Sequence, residues 1–219
     1  MPDARRILAY GDSLTWGWVP IQEVVPTTRY PFQERYTGFL AEELGEGYEI
    51  VEEGLSGRTT SADDPIDPRL NGAAYLPAAL ASHLPLDLVI IMLGTNDTKQ
   101  YFHREPFDIA TGMANLMVAV LQSAGGVGTA YPAPRTLVVC PPPLGDITDP
   151  WHAELFAGGK AKSQQLAPLY AAVAKTFGAE FFDGGSVTST DGVDGIHFTV
   201  DNTRALGQGV AGKVREILG

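Results

Sequence analysis

The chain reads as short, continuous apolar runs separated by longer amphipathic stretches. Ile7-Leu8-Ala9-Tyr10, Tyr48 to Glu53, Asp87-Leu88-Val89-Ile90-Ile91-Met92-Leu93, Thr136 to Cys140 and Phe181-Phe182 predict strands. A strand covered on both faces of a parallel sheet is apolar without alternation, which is what the first and third runs show. Between the runs, Phe32, Tyr36, Phe39, Leu40 and Leu44 recur at helical spacing, as do Ile109, Met113, Leu116, Val120 and Leu121. They predict helices over about 32–44 and 106–123, and further helices are expected over about 72–81, 160–177 and 201–218. One or two helical turns are expected between Trp151 and Phe156. Strands alternating with helices imply an α/β fold, a five-stranded parallel sheet with helices on both faces.

Two segments interrupt this alternation. Residues 17–31 are rich in Pro and turn formers, with Trp16 and Trp18 at their base, and predict a loop over whatever lies at the end of the first strand. Residues 59–72 contain Asp63-Asp64-Pro65-Ile66-Asp67-Pro68, and so long an irregular piece inside a domain is usually functional or an interface element. No repeat, low-complexity tract or linker divides the chain. The expectation is one domain over residues 1–219, with loop insertions at about 17–31 and 59–72.

Composition narrows the function more by exclusion than by suggestion. Of 219 residues, 44% are hydrophobic and 19% charged, which suits a folded chain with a substantial core. A net charge of −11 argues against nucleic-acid backbones and anionic membrane surfaces as partners. No apolar run is long enough to predict a membrane-spanning helix, and Met1 to Arg6 lead into the first strand without a signal-peptide core, so a cytoplasmic location is expected. The one cysteine, Cys140, excludes an intrachain disulfide and reads as a small apolar residue closing a buried strand. His83, His103, His152 and His197 show no metal-ligand spacing, so no metal and no cofactor are expected.

The chemistry is carried by residues just beyond the strands. Ser13 follows the first strand, Gly54 the second, Asn96 the third, and His197 lies on the loop after the fifth. In a parallel sheet these loops emerge on one edge, where open α/β sheets keep their ligands. A serine hydroxyl is a weak nucleophile until a neighbouring base takes its proton. His197 can be that base, with Asp194 three residues earlier to hold its tautomer. The main-chain N–H groups of Ser13 and Gly54 and the Asn96 amide suit an oxyanion hole, and Gly54 has no Cβ to keep a reacting carbonyl away. Leu14, Trp16, Thr95, Phe156 and Ile196 are the candidate substrate-binding residues, with Trp18 beside them; as aromatic and aliphatic side chains they could equally belong to the core. Asp12 and Asp97 are expected to hold loops through backbone N–H groups, and Arg58 and Lys99 to rim the entrance or make ion pairs.

The blocks Gly11-Asp12-Ser13-Leu14, Gly54, Gly94-Thr95-Asn96-Asp97 and Asp194-Gly195-Ile196-His197 resemble, in order and spacing, the GDSL or SGNH hydrolases. More narrowly, Gly11 to Trp18, Asp63-Asp64-Pro65, Asp67 to Gly72, Leu84 to Lys99 and Ser189 to His197 are similar to the small bacterial arylesterase/acyltransferases of that superfamily. The resemblance implies a three-layer αβα flavodoxin-like fold and a serine esterase acting on short-chain acyl esters. It also implies acyl transfer to water, alcohols or peroxide, and a homo-oligomer as large as an octamer. Ser13, Asp194 and His197 would be the catalytic residues, and Ser13, Gly54 and Asn96 the oxyanion donors. The segment Pro143 to Thr148 is more polar than its counterpart in that group, which bears on the shape of the entrance. Two other readings stay open. A carbohydrate acetylesterase, thioesterase or lysophospholipase would use the same residues, whereas a flavodoxin-like binding module would have no use for an Asp194–His197 pair.

Overall fold

β1 (Arg5–Gly11) is buried from Ile7 onward, because it lies inside the sheet and receives helices on both faces. In the computed structural model, which describes residues 4–22 and 26–219, β1 pairs with β2 (Tyr48–Gly54) on one side and β3 (Leu88–Met92) on the other. β4 (Arg135–Cys140) and β5 (Glu180–Asp183) complete an all-parallel sheet in the order β2-β1-β3-β4-β5. Residues 23–25, within the predicted loop over 17–31, lie outside the described residues.

The helices are α1 (Ser13–Trp16), α2 (Tyr36–Leu44), α3 (Gly72–His83), α4 (Pro106–Leu121), α5 (Pro150–Leu155), α6 (Gly159–Ser163), α7 (Leu166–Phe177) and α8 (Val200–Leu218). Alternation along the strands sorts the core into two layers. Leu8, Tyr10, Val89, Ile91, Val138 and Cys140 face α3, α4 and α7. Ile7, Ile90, Met92, Leu137 and Val139 face α2 and α8. Burying each large aliphatic side chain contributes about 1.5–3 kcal/mol, so the central strands are the best-anchored part of the molecule. The chain runs outward from β1 to β2 and then crosses back to β3 on the other side of β1. That reversal opens a crevice at the carboxyl ends of β1 and β3, where doubly wound sheets hold ligands.

Three boundaries differ from the sequence reading, each for a local reason. The single helix expected over 160–177 is α6 and α7, interrupted at Gln164 and Gln165. Pro168 has no N–H for the Gln164 carbonyl, and its ring would collide with that carbonyl in a continuous helix. The helix expected from Phe32 begins as a 3₁₀ turn, Phe32–Glu34, and Arg35 is extended before α2 starts. Arg35 instead reaches Glu52 at 2.6 Å and donates Nε to the Tyr30 carbonyl at 2.8 Å. Finally, α8 starts at Val200, because Thr199 and Asn202 form a reciprocal cap.

Both irregular segments are tied down. Tyr30 N–H donates to the Gly17 carbonyl at 2.7 Å, and Trp18 pairs with Arg29 in an antiparallel bridge. Across 59–72, Thr59 pairs with Asn71, and the Asp64 carboxylate accepts from the N–H groups of Ile66 and Asp67 and from the Tyr101 hydroxyl. Among the described residues no helix is long and apolar enough to cross a membrane.

Candidate active site

At the end of β1 the backbone turns where no side chain would fit. A Cβ on Gly11 would lie 2.0 Å from the Thr15 Oγ1 and 2.9 Å from the Met92 carbonyl oxygen. Asp12 then caps α1, accepting from Leu14 N–H at 2.9 Å, and Ser13 occupies the first helical position. A residue there has no intrahelical acceptor for its N–H, so the Ser13 amide is available to a ligand. The end of β2 packs straight onto this turn. A Cβ on Gly54 would fall 2.4 Å from the Trp16 backbone nitrogen, so only glycine lets β2 pack this closely on α1. Gly54 is not, however, the oxyanion donor expected from the sequence: Leu55 N–H donates to the Gly11 carbonyl, which turns the Gly54 N–H away from β1 and Ser13.

The loop after β5 brings in the base. Ser13 Oγ stands 3.0 Å from His197 Nε2, and His197 Nδ1 stands 2.7 Å from Asp194 Oδ2. The other Asp194 oxygen accepts from the N–H groups of Ile196 and His197, which folds the Asp-x-x-His segment into the turn that aims the ring. Burial pushes the Asp194 carboxyl up. The hydrogen bond and charge of His197 and the two backbone N–H groups more than reverse this, leaving it below its ordinary value. Trp18 lies against the opposite face of the imidazole, with centroids 5.1 Å apart and planes at 19°. Three groups separated along the chain thus form one relay from hydroxyl to imidazole to carboxylate.

Asn96, on the 3₁₀ turn after β3, lies on the other side of Ser13. Its Nδ2 donates to Asp12 Oδ2 at 3.3 Å and to the Arg58 carbonyl at 3.2 Å. A main-chain carbonyl only accepts, so that of Arg58 fixes which end of the Asn96 amide faces it. Burial pushes the Asp12 carboxyl up to about 7, opposed by Leu14 N–H, reinforced by Asp97, and opposed again by Arg58 and Lys99. Asp97 itself accepts from Thr60 N–H, the Thr60 hydroxyl and Arg104, stapling the β3 loop to the start of the 59–72 segment.

The model of the GDSL-like lipase/acylhydrolase family matches residues 9–202, a span that takes in Ser13, Gly54, Asn96, Asp194 and His197. The chain belongs to the GDSL-like lipase/acylhydrolase family. Within this family, the chain is 61% identical to the aryl esterase of M. smegmatis, with a TM-score of 0.97 over 98% of this chain and 100% of that one. It is 59% identical to a carbohydrate acetylesterase from Sinorhizobium meliloti, with the same TM-score and the same coverage. A putative arylesterase from Agrobacterium tumefaciens is 39% identical, with a TM-score of 0.85 over 98% of this chain and 100% of that one. No curated protein matches the chain.

As a GDSL-family site, the remaining positions divide. Phe156 and Ile196 pack with Leu144 in a small apolar cluster of their own, which adjoins His197 along the chain. Leu14 packs instead into the core against α2 and α8, and Trp16 lies tilted at 52° to Trp18, beneath the Arg29 guanidinium. Thr95 Oγ1 is buried with no hydrogen-bond partner among the described residues. Lys99 lies 6.0 Å over the Phe156 ring; burial lowers its ordinary value, opposed by Asp64, Asp12 and Asp97. His83 pairs with Glu53 at 2.9 Å and His152 lies 3.2 Å from Asp149, both away from the relay. Cys140 is 1% exposed and burial pushes its thiol up, as suits a core residue. Among the described residues no cluster of His, Cys, Asp and Glu is arranged to hold a metal. One expectation is corrected: Arg58 does not rim the entrance but is 2% exposed, drawn inward by the Tyr10 ring and by main-chain carbonyls. The signal for Arg58 lay in Tyr10 and Tyr75, two aromatic residues that become its neighbours only once α3 docks on the sheet.

Proposed function

We propose that the chain is a serine esterase that cleaves short-chain acyl esters through an acyl-Ser13 intermediate. The observation that carries this reading is the Ser13–His197–Asp194 relay, with its 3.0 Å and 2.7 Å contacts. His197 Nε2 takes the Ser13 proton as Oγ attacks the ester carbonyl. The oxyanion of the tetrahedral intermediate accepts from the Ser13 N–H and from Asn96 Nδ2, which gives up its 3.3 Å hydrogen bond to Asp12 to reach it. The imidazolium, stabilised by Asp194, then gives its proton to the departing alcohol, and the carbonyl re-forms as acyl-serine. In the second half His197 takes a proton from the acceptor as it attacks the acyl carbon, and Ser13 leaves with that proton.

Water as acceptor completes hydrolysis, and an alcohol or hydrogen peroxide completes acyl transfer by the same steps. Trp16, Thr95, Phe156 and Ile196 would wall the substrate, and the apolar cluster of Phe156, Ile196 and Leu144, which adjoins His197 along the chain, supports a site that holds an alcohol better than water. The two relatives of near-equal identity, an aryl esterase and a carbohydrate acetylesterase, support acetyl esters of aryl or sugar alcohols as substrates. The chain would work as one domain with its two loop insertions, in the cytoplasm and as an oligomer. The exposed side chains of Ile66, Phe107 and Trp151 supply apolar surface for subunit contacts.

The test is turnover of p-nitrophenyl acetate by wild type and Ser13→Ala. Loss of about 10⁴-fold or more in kcat is expected, with a fluorophosphonate adduct on Ser13 in the wild type alone. Wild-type turnover in Ser13→Ala would sink the reading. Product ratios with benzyl alcohol in aqueous buffer then separate transfer from hydrolysis.

A further inference from the structure

Among the described residues Arg58 is a buried cation with no carboxylate on it. It is 2% exposed, and its Nη1 donates to the main-chain carbonyls of Gly11 and Glu53. Its Cζ lies 4.2 Å from the centre of the Tyr10 ring and 5.3 Å from that of Tyr75. Carbonyls and ring faces carry partial charge only, whereas a buried charge is ordinarily met by a full opposite one. The neighbouring carboxylates are committed elsewhere. Glu53 Oε1 faces His83 Nε2 at 2.9 Å and accepts from the Tyr75 hydroxyl at 3.3 Å, and Asp67 holds Arg69 at 2.6 Å.

The unused part of the guanidinium is its Nε–Nη2 edge. Nε is buried without a hydrogen-bond partner among the described residues, and both side-chain donations run from Nη1. Nε–H and Nη2–H lie in one plane and point the same way, which is the fork that takes the two oxygens of one carboxylate. Arg58 lines a cleft of about 450 Å³, together with Gly54, Leu55, Pro68, Ala74 and Tyr75. The Gly54 N–H, turned off the outer edge of β2, brings a main-chain donor to the same cleft. Glu53 is also on its wall, and that charge weighs more against a dianion than against a singly charged ligand.

We propose that this cleft is a binding site for a small organic monocarboxylate. Its lining includes none of Ser13, Asn96, Asp194 and His197, so the site is separate from the catalytic crevice. The carboxylate sits on the Nε–Nη2 edge of Arg58 with the Gly54 N–H beside it. Its alkyl or aryl group lies against Leu55, Pro68 and Ala74, where apolar surface leaves water. Tyr75, 40% exposed, is the wall that yields to let an oxygen reach the covered Nε.

The experiment follows the Arg58 Nε–H resonance of isotope-labelled wild type by NMR during titration with sodium benzoate at neutral pH. The resonance is expected to move downfield and saturate with a Kd of about 1–10 mM, the range open to a ligand of so few atoms. Acetate moves the same resonance with a Kd about tenfold weaker, because it lacks the ring that meets the apolar wall. By calorimetry, Arg58→Lys binds benzoate about tenfold more weakly or worse, since an ammonium offers no fork. Arg69 also lines the cleft but is exposed and paired with Asp67, so Arg69→Ala keeps the wild-type Kd within about threefold. Wild type carrying a fluorophosphonate adduct on Ser13 binds benzoate as tightly as the unlabelled protein. Loss of binding in the labelled protein would put the benzoate in the catalytic crevice and overturn the proposal. So would an Arg58 resonance unmoved through about 100 mM benzoate, or one that inorganic phosphate moves as far. If Arg58→Lys does not fold, the wild-type resonance decides, because it reads the guanidinium without altering it.

Discussion

Two buried carboxylates flank Ser13 and burial acts on both, yet they end in opposite states. Asp194 is 5% exposed and held below its ordinary value, because one oxygen faces the imidazole and the other takes two main-chain N–H groups. Asp12 is 1% exposed and pushed up to about 7, with the Leu14 N–H, a long bond from Asn96 and the more distant charges of Arg58 and Lys99 to set against its burial and the nearby Asp97 charge. The difference teaches that donors and depth decide together whether a buried acid stays charged: Asp97, fully buried, is pushed up even with Thr60 and Arg104 donating to it. In the proposed mechanism Asp194, held below its ordinary value, serves the relay as the anion. Asp12 serves the oxyanion side as an acid that titrates near neutrality.

The contrast breaks most sharply at Asp194. In Asp194→Asn the amide turns a donor toward His197 Nδ1, moves the ring proton to Nε2, and leaves Ser13 facing a donor in place of a base. A fall of about 10⁴-fold in kcat is expected, read from p-nitrophenyl acetate kinetics; a drop under tenfold would mean the carboxylate is dispensable. Asn96→Ala should cost about 10²–10³-fold in kcat by removing one oxyanion donor. It also takes a donor from Asp12, so the pH at which that carboxyl titrates should move upward in carboxyl-difference infrared spectra.

Asp12→Asn is the mildest of the three on activity, with kcat down about tenfold because the new amide keeps its oxygen on the Leu14 N–H and turns its NH2 toward the Asn96 Nδ2; stability is where it tells. A raised folded value means the folded protein keeps a proton that the unfolded chain has lost. Wild-type stability is therefore full below the ordinary carboxylate range and falls as pH rises toward about 7. Asp12→Asn lacks that slope, so it should gain on wild type between pH 5 and pH 8 by a few kcal/mol at most, measured by urea unfolding. Parallel curves for the two proteins would show that Asp12 is ionised throughout. Asp194 has the opposite sign, adding stability above the ordinary carboxylate range that is lost only as pH falls through its lowered value.

The framework and the reacting groups were legible in the sequence because each depends on a short local pattern. β3 is five consecutive apolar residues, and all five are buried. Asp194 and His197 needed only one turn between them. What escaped depended on contacts between distant segments. The break before α7 follows from Pro168 acting four residues back, on a stretch whose apolar spacing runs on undisturbed. Arg58 reads as a surface residue until Tyr10 and Tyr75 are brought together around it, and the tie from Asp12 to Asn96 spans 84 positions.

The packing around His197 also constrains the order of events. With Nδ1 held by Asp194 and the ring flat against Trp18, the imidazole has no room to swing, and Nε2 is its one working nitrogen. Whatever leaves and whatever arrives must therefore use the same berth. The first alcohol has to depart before a second nucleophile can occupy its place, so turnover follows a strict double-displacement sequence. In such a sequence the released alcohol competes with the incoming nucleophile for a single seat.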